Sequence, residues 1–433
     1  MSVADNMLNV WASKNVVGSV DRHPNEEGDY IFAYHSTLQA GQDVSLTMPY
    51  SLESYRYRNG LHPVFQMNLP EGRLRDSIER TFRKRAKNYD QLTLLEVVGR
   101  SQIGRLRFSN DPNVIDQVPL QSVHELIAYD GTEDLLRDLM DRFSEVSGVS
   151  GIQPKVLIKN QDQVKPSNDE TCVTVKGATH IVKAWEANEF PHLAANEFFC
   201  MRVARRAGLQ VPEMFLSDNN KFLVVERFDL AACGQYLGFE DFCSLNGIGT
   251  DFKYEGSYEK LAKRIREFVS PEHQAEALET FFKSLAVTCA VKNGDAHLKN
   301  FGVLYEAADK PVKLAPAYDI VTTTPYIKGD SLALTLEGSK SFPKEKRLLN
   351  FAKLHCNIQP TRAKLMLEEV AEAVVKTMGD IRQHVRDRAD FKEVGEAMLR
   401  EWNDGLNVSC KPDSEKMISS PGRRPQDPEE PSP

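Results

Sequence analysis

Cysteine is scarce and scattered in this chain. The seven cysteines among 433 residues, at positions 172, 200, 233, 243, 289, 356 and 410, are odd in number and never form a C-x-x-C pair. That pattern argues against a disulfide scaffold and against a zinc cluster, and for reduced thiols. Cys200 and Cys289 sit in apolar helical contexts, where packing is the expected role. Positive charge is also in deficit: 54 Lys and Arg stand against 62 Asp and Glu, a formal charge of -8. The chain as a whole therefore does not advertise nucleic-acid binding, and any association with DNA needs a basic partner. The opening Met-Ser-Val-Ala-Asp lacks a basic region followed by an apolar core, and no stretch is apolar enough to span a bilayer. A soluble cytoplasmic protein is the expectation, with no membrane partner. Hydrophobic residues make up 41%, enough at this length for two lobes with a large core.

What the chain does have is the run Asn293-Gly294-Asp295-Ala296-His297-Leu298-Lys299-Asn300, between a helix-like apolar stretch and Phe301-Gly302-Val303-Leu304. Asp295 and Asn300 are spaced D-x-x-x-x-N, the separation at which a kinase loop places a base beside a hydroxyl and an amide oxygen beside magnesium. Asp319, in Ala317-Tyr318-Asp319-Ile320, lies about as far downstream as the second metal-binding aspartate of kinases. A plain Asn-Gly-Asp turn between helix and strand needs no catalytic role. The clustering of Asn293, Asp295, His297, Lys299 and Asn300 favours phosphoryl transfer.

Along the rest of the chain, residues 1–115 read as mostly strand, with Tyr30–Tyr34 and Val44–Met48 as examples. The basic stretch from Arg73 to Lys87 fits a solvated helix better than a binding face. A helix is expected from Ser122 to Phe143. It leads into Ser147-Gly148-Val149-Ser150-Gly151-Ile152-Gln153-Pro154-Lys155 and a strand at 156–158. That loop is no Walker sequence, yet its glycines and serines can expose N–H groups to phosphate oxygens; a plain surface loop fits its composition equally. A polar hairpin from Lys159 to Thr171 follows. The strand Thr179–Lys183 projects a lysine of the kind that meets α- and β-phosphates, and Glu197, on a helix from Leu193 to Gly208, is its candidate partner. Phe222 to Asp229 reads as a buried strand leading to a hinge. Helical spacing recurs at 275–292, 361–378 and 391–402, and from Lys411 the Pro-, Ser- and charge-rich tail reads as disordered.

Taken together, Ser45–Pro49, Asn68–Gly72, Gly151–Lys155, Glu226–Asp229, Asn293–Asn300 and Tyr318-Asp319 give the chain a resemblance, over roughly residues 5 to 400, to the HipA family of serine/threonine-kinase toxins from bacterial HipBA toxin–antitoxin pairs. The resemblance implies an α+β, two-lobed protein-kinase-like fold with a β-rich N-terminal part and a mainly helical C-terminal lobe. The implied divisions are an N-terminal β-rich subdomain at 1–115, the rest of the N-lobe with the phosphate-binding loop and hinge at 116–235, a helical C-lobe with the catalytic loop at 236–410, and the tail at 411–433.

It further implies ATP and Mg²⁺ as cofactors. Asp295 becomes the catalytic base, with Asn300 and Asp319 holding Mg²⁺. Ser150, Gly151, Ile152, Gln153, Pro154, Lys155 and Lys183 meet phosphates, and Glu226, Arg227 and Phe228 take the adenine side. His297, Leu298, Lys299 and Tyr318 complete the ATP contacts. The family inactivates itself by phosphorylating a serine in the flexible loop; Ser147 is the favoured candidate and Ser150 the other. The implied partners are a HipB-like helix-turn-helix antitoxin dimer and, through it, operator DNA. The implied protein substrate is glutamyl-tRNA synthetase, whose modification produces growth arrest and persistence. Two further classes fit a similar catalytic loop: a small-molecule or lipid kinase, and a non-catalytic kinase-shaped co-repressor.

Overall fold

The computed structural model describes residues 7–36, 38, 40–82, 89–129, 135–150, 153, 155–162, 177–185 and 190–411. Gly151, Ile152 and Pro154, the basic residues at 83–87, most of the expected hairpin and the tail beyond Lys411 lie outside them. The strands β1 (Leu8–Ala12), β2 (Asn15–Arg22), β3 (Tyr30–Tyr34), β4 (Tyr55–Tyr57) and β5 (Leu106–Phe108) form an antiparallel sheet in the order β4-β3-β2-β1-β5. Strict alternation builds it: Leu8, Val10 and Ala12 of β1 are buried and the residues between them are not. The strand expected at 44–48 is instead a tight turn closed by a Ser45–Met48 bridge. The cause is the buried Glu240 carboxylate, which accepts from Ser45 Oγ at 2.6 Å and Leu46 N at 2.9 Å and so takes donors that a ladder would need.

A second sheet carries the phosphate side. Its order is β6-β7-β8-β10-β9, with β6 (Leu120–Gln121) parallel to β7 (Lys155–Asn160), and β8 (His180–Ala184), β9 (Met214–Leu216) and β10 (Phe222–Glu226) antiparallel. Lys155 and Lys183 are directly opposed in the β7–β8 ladder, so both ammonium groups leave the same face. One buried apolar cluster runs from Leu8 through Phe108 and Phe143 to Val224, joining both sheets. The helix expected from 122 to 143 is two helices, Val123–Ile127 and Leu135–Phe143. The first stops early because Ile127 O and Tyr129 O accept from Asp218 N and Asn219 Nδ2, side bonds that consume the carbonyls another turn would use.

The C-terminal lobe is helical, with Tyr258–Phe268, Gln274–Ala290, Glu345–His355, Pro360–Asp387 and Lys392–Ser409 around a second core. Phe281, Phe282 and Trp402 are fully buried there, each contributing about 1.5–3 kcal/mol by burial. The helix Gln274–Ala290 ends where Lys292 turns to φ +57, and that turn delivers the catalytic run to the cleft. A small sheet of β11 (Gly238–Asp241), β12 (Gly302–Tyr305) and β13 (Lys313–Leu314) supports the run from below. The architecture is the expected α+β, two-lobed kinase-like one, β-rich first and helical after.

Candidate active site

A cleft of about 720 Å³ lies between the lobes, within the range of ligand pockets. On its upper wall Lys183 Nζ reaches Glu197 Oε1 at 2.6 Å and Asp319 Oδ1 at 2.7 Å. Burial opposes the lysine's charge, but the two carboxylates outweigh it and hold Lys183 protonated. Burial likewise works against ionised Asp319, and Lys183 and Lys155 override it, holding that carboxyl far below its usual range. Asp319 adopts φ +58, a left-handed conformation that costs a non-glycine residue energy and recurs at functional sites. Its other oxygen, Oδ2, accepts from Asn300 Nδ2 at 3.2 Å.

The run from Asn293 to Asn300 is held by its own polar groups and by residues packed around it, among them Lys253, whose O accepts from Leu298 N at 3.1 Å, and Tyr258, whose OH donates to Ala296 O at 3.0 Å. Asp295 N donates to Asn293 Oδ1 at 2.9 Å, Gly294 N to Thr323 Oγ1 at 2.8 Å, and His297 N to Asn300 Oδ1 at 3.1 Å. Asp295 therefore projects into the cleft from a rigid turn. Desolvation by the surrounding walls raises its pKa to about 6, while Tyr254 OH, donating to Oδ1 at 2.7 Å, draws it back down. Its side chain stays 45% accessible, open to an incoming group. His297 lies with Nε2 3.9 Å from Asp295 and is kept neutral, its pKa lowered to about 3 by burial and then by Lys253.

Several expected residues gather here. Ser150, Gln153, Lys155, Glu226 and Phe228 line the cleft together with Lys183, Asp295, His297, Lys299, Asn300, Tyr318 and Asp319. Phe228 packs against Tyr318 at 5.3 Å and Phe239 at 5.6 Å between ring centroids, an apolar floor at the hinge end. Tyr318 OH donates to Lys299 O at 2.7 Å, tying that floor to the catalytic loop.

Two expectations are corrected. Leu298 does not line the cleft; it is 3% exposed in the helical core, where an apolar side chain gains most. Arg227 borders the cleft between Glu226 and Phe228, its guanidinium turned to Asp229 at 2.6 and 3.0 Å and to Gln102 O at 3.0 Å, since a buried cation needs its full set of acceptors. Ser147 is not in a flexible loop. It is 0% exposed, donating to Phe143 O at 2.6 Å and accepting from Leu157 N at 2.8 Å, so its hydroxyl fastens β7 to the preceding helix. A phosphate there would tear both bonds. Ser150 stands on the cleft wall instead, its hydroxyl donating to Glu71 Oε1 at 2.6 Å.

Glu71, Lys253 and Tyr254 also line the cleft. Lys253 Nζ meets Glu71 Oε2 at 3.0 Å, and Lys299 Nζ lies 3.8 Å from Oε1. Glu71 sat in a matching motif with no chemistry attached. Lys253 and Tyr254 had no local signal at all, because they enter the cleft by tertiary folding from an irregular segment.

Whether the site suits a nucleotide phosphate can be judged from its unspent groups. Gln153 Nε2 and His297 Nδ1 are buried at the cleft without a hydrogen-bond partner. Lys155 is buried too, its charge disfavoured by desolvation, and among the described residues no carboxylate lies within ion-pair distance of it. The Gln153 amide donor and a cation left without an anion fit phosphate oxygens. Asp319 carries carboxylate oxygens of the hard kind Mg²⁺ takes when phosphates and water complete its shell, and Asn300, whose Nδ2 donates to Asp319 Oδ2 at 3.2 Å, has its amide oxygen accepting from His297 N at 3.1 Å.

Among the described residues no helix is long and apolar enough to cross a membrane. Y4dM of Sinorhizobium fredii, which carries a kinase name, is 28% identical over 339 residues, 73% of this chain and 77% of its own. The serine/threonine-protein kinase toxin HipA of Shewanella oneidensis is 24% identical over 320 residues, covering 68% and 71% respectively. A chain in the solved Shewanella oneidensis MR-1 complex of HipA, HipB and operator DNA superposes with a TM-score of 0.64 at 17% identity, covering 93% of this chain and 98% of that one. Residues 8–109 match the model of the HipA N-terminal domain, and residues 147–378 match that of the HipA-like C-terminal domain. The chain belongs to the HipA family.

Proposed function

We propose that the protein is an ATP- and Mg²⁺-dependent serine/threonine protein kinase acting as the toxin of a type II toxin–antitoxin pair. The observation that carries this reading is the single polar chain Glu197–Lys183–Asp319–Asn300, closed by contacts of 2.6, 2.7 and 3.2 Å beside an accessible Asp295. A purely structural ion pair needs one partner for the lysine; this lysine holds two, at the place where phosphates and metal are gathered in kinases.

In this reading Asp295 orients the acceptor hydroxyl and takes its proton. A carboxyl brought to about 6 is ionised at neutral pH yet basic enough to share that proton in the transition state. Lys155 and Lys183 bind and orient the phosphates, and Phe228 with Tyr318 offers an apolar seat toward the adenine. Asp319 and Asn300 would hold Mg²⁺, which when bound neutralises phosphate charge. Self-phosphorylation belongs to Ser150, the serine of the loop that faces the cleft.

Partners follow the family expectation: a HipB-like helix-turn-helix antitoxin dimer, operator DNA through that antitoxin with the kinase as co-repressor, and a translation factor such as glutamyl-tRNA synthetase as substrate, all in the cytoplasm. The net charge of -8 suits docking onto a basic partner. The test is incubation of purified protein with labelled ATP and Mg²⁺, followed by mass spectrometry of the protein and of a candidate synthetase. Phosphate on a serine or threonine of either supports the reading; label passing only to small molecules or lipids, or none passing to any acceptor, overturns it.

A further inference from the structure

Glu71 stands on the one wall of the cleft that the N-terminal β-rich part contributes, and the transfer chemistry above leaves it without a task. Its oxygens are nevertheless fully engaged. Oε1 accepts from Ser150 Oγ at 2.6 Å, and Oε2 meets Lys253 Nζ at 3.0 Å, with Lys299 Nζ 3.8 Å away. The three partners come from the phosphate-side loop, the segment before the helix Tyr258–Phe268, and the catalytic loop. The support beneath Glu71 is fixed as well. Lys299 Nζ donates to Met67 O at 2.9 Å, Asn68 Nδ2 donates to Ile103 O at 2.8 Å, and Gly72 turns the chain at φ +51.

We propose that Glu71 is a positioning residue: a carboxylate latch that holds the phosphate-side loop closed through Ser150 while neutralising Lys253 and Lys299, so that the N-terminal part sets nucleotide affinity. The proposal rests on the phosphoryl-transfer reading for its consequence, though not for its geometry. Burial opposes the charge of Glu71, and Lys299, Lys253 and the Ser150 hydroxyl outweigh that cost, bringing its pKa down to about 2. The latch is therefore anionic throughout the physiological range. Without it, Lys253 and Lys299 lose the carboxylate they share, Asp241 at 3.8 Å from Lys299 being their remaining ion-pair partner among the described residues, and Ser150 has lost its acceptor. Among the described residues of that loop, the anchors that remain lie at its root: Ser147, and Gly148, whose N donates to Ser101 O at 2.9 Å and whose O accepts from Ile103 N at 3.2 Å.

The experiment combines a double-mutant cycle on ATP affinity with amide hydrogen exchange of residues 144–150, using Glu71→Ala, Glu71→Gln, Ser150→Ala and the Glu71→Ala/Ser150→Ala pair. Glu71→Ala is expected to weaken ATP binding about tenfold, the size of one charge-assisted hydrogen bond, raising KM with kcat at saturating ATP nearly kept. Glu71→Gln retains an acceptor for Ser150 and should recover most of that affinity. The double variant should lose less affinity than the two single effects multiplied, because both single variants remove the same Ser150–Glu71 contact. Exchange in 144–150 should quicken in Glu71→Ala and Ser150→Ala alike. Wild-type ATP affinity in Glu71→Ala, multiplying effects in the pair, or unchanged exchange in both single variants would overturn the latch. Ser150→Ala removes only a hydroxyl, so its exchange result stands even if Glu71→Ala does not fold. A wild-type protein that binds no ATP at all would sink the transfer reading, and exchange alone would then decide the latch.

Discussion

The two loops that face each other across the cleft are held by different kinds of bond. The run from Asn293 to Asn300 is tied at many points: Asn293 holds Asp295 and Asn300 holds His297 within it, while Thr323, Lys253 and Tyr258 bond its backbone from outside. On the phosphate side the root is fastened by Ser147 to its own helix and strand, but Ser150 reaches a residue 79 positions away in sequence. A loop bonded at many points, within itself and to the core, keeps its shape when any one contact is lost. A loop held by a distant carboxylate keeps its shape only while the two parts of the molecule stay together, which makes it the side on which activity can be adjusted.

The largest effect should come from breaking the rigid side. Asp319→Ala should abolish phosphoryl transfer and also weaken Mg²⁺-dependent nucleotide binding. Asp295→Ala should cost about 10²–10⁴-fold in transfer while leaving nucleotide affinity close to wild type. Parallel measurement of labelled transfer and nucleotide affinity separates the roles; a wild-type rate in either variant contradicts the assignment.

Next in size is the contrast between two serines of one loop. Ser147→Glu places a charge where the side chain is 0% exposed and removes two hydrogen bonds. It should lower stability by roughly 3–5 kcal/mol, the range for an uncompensated buried charge, visible as a lower denaturant midpoint. Ser150→Glu should leave that midpoint within about 1 kcal/mol, since its side chain faces the cleft, but should weaken ATP binding by repulsion from Glu71 and from the phosphates. Equal loss of stability in the two variants would mean that root and tip are not held differently.

Smaller still is the tuning of the base. Transfer requires ionised Asp295, so the rate should rise with pH through about 6 and level off above it. Tyr254 donates to the carboxylate and stabilises its charged form; Tyr254→Phe removes that donor, so the acidic limb should move to higher pH by about half a unit to one unit. A limb moving to lower pH would show that the phenol does not serve the ionised base. The smallest effect belongs to the basic helix near the N-terminal part: Arg75 pairs with Glu79 at 2.8 Å with 45% of its side chain exposed, so Arg75→Ala should change stability by less than about 0.5 kcal/mol in thermal or denaturant unfolding.

Read residue by residue, the sequence already determined the catalytic run, because its order is local: an Asp and an Asn on one short turn must share a face, and the aspartate a strand and turn later can only return to it. It offered Glu197 as a candidate partner for Lys183 by analogy with kinases, and the meeting of that strand and helix came from the fold. It also set the helical character of the C-lobe, although Pro360–Asp387 and Lys392–Ser409 run beyond the expected limits because packing on the helix Gln274–Ala290 sustains turns that propensity alone leaves undecided. Only the tertiary structure decided which serine is sealed and which faces the cleft, and that Glu71, Lys253 and Tyr254 belong to the site. The physical reason is range. Burial, and the meeting of one carboxylate with cations 182 and 228 positions further along the chain at Lys253 and Lys299, depend on how two lobes close over each other, and no spacing within either segment carries that information.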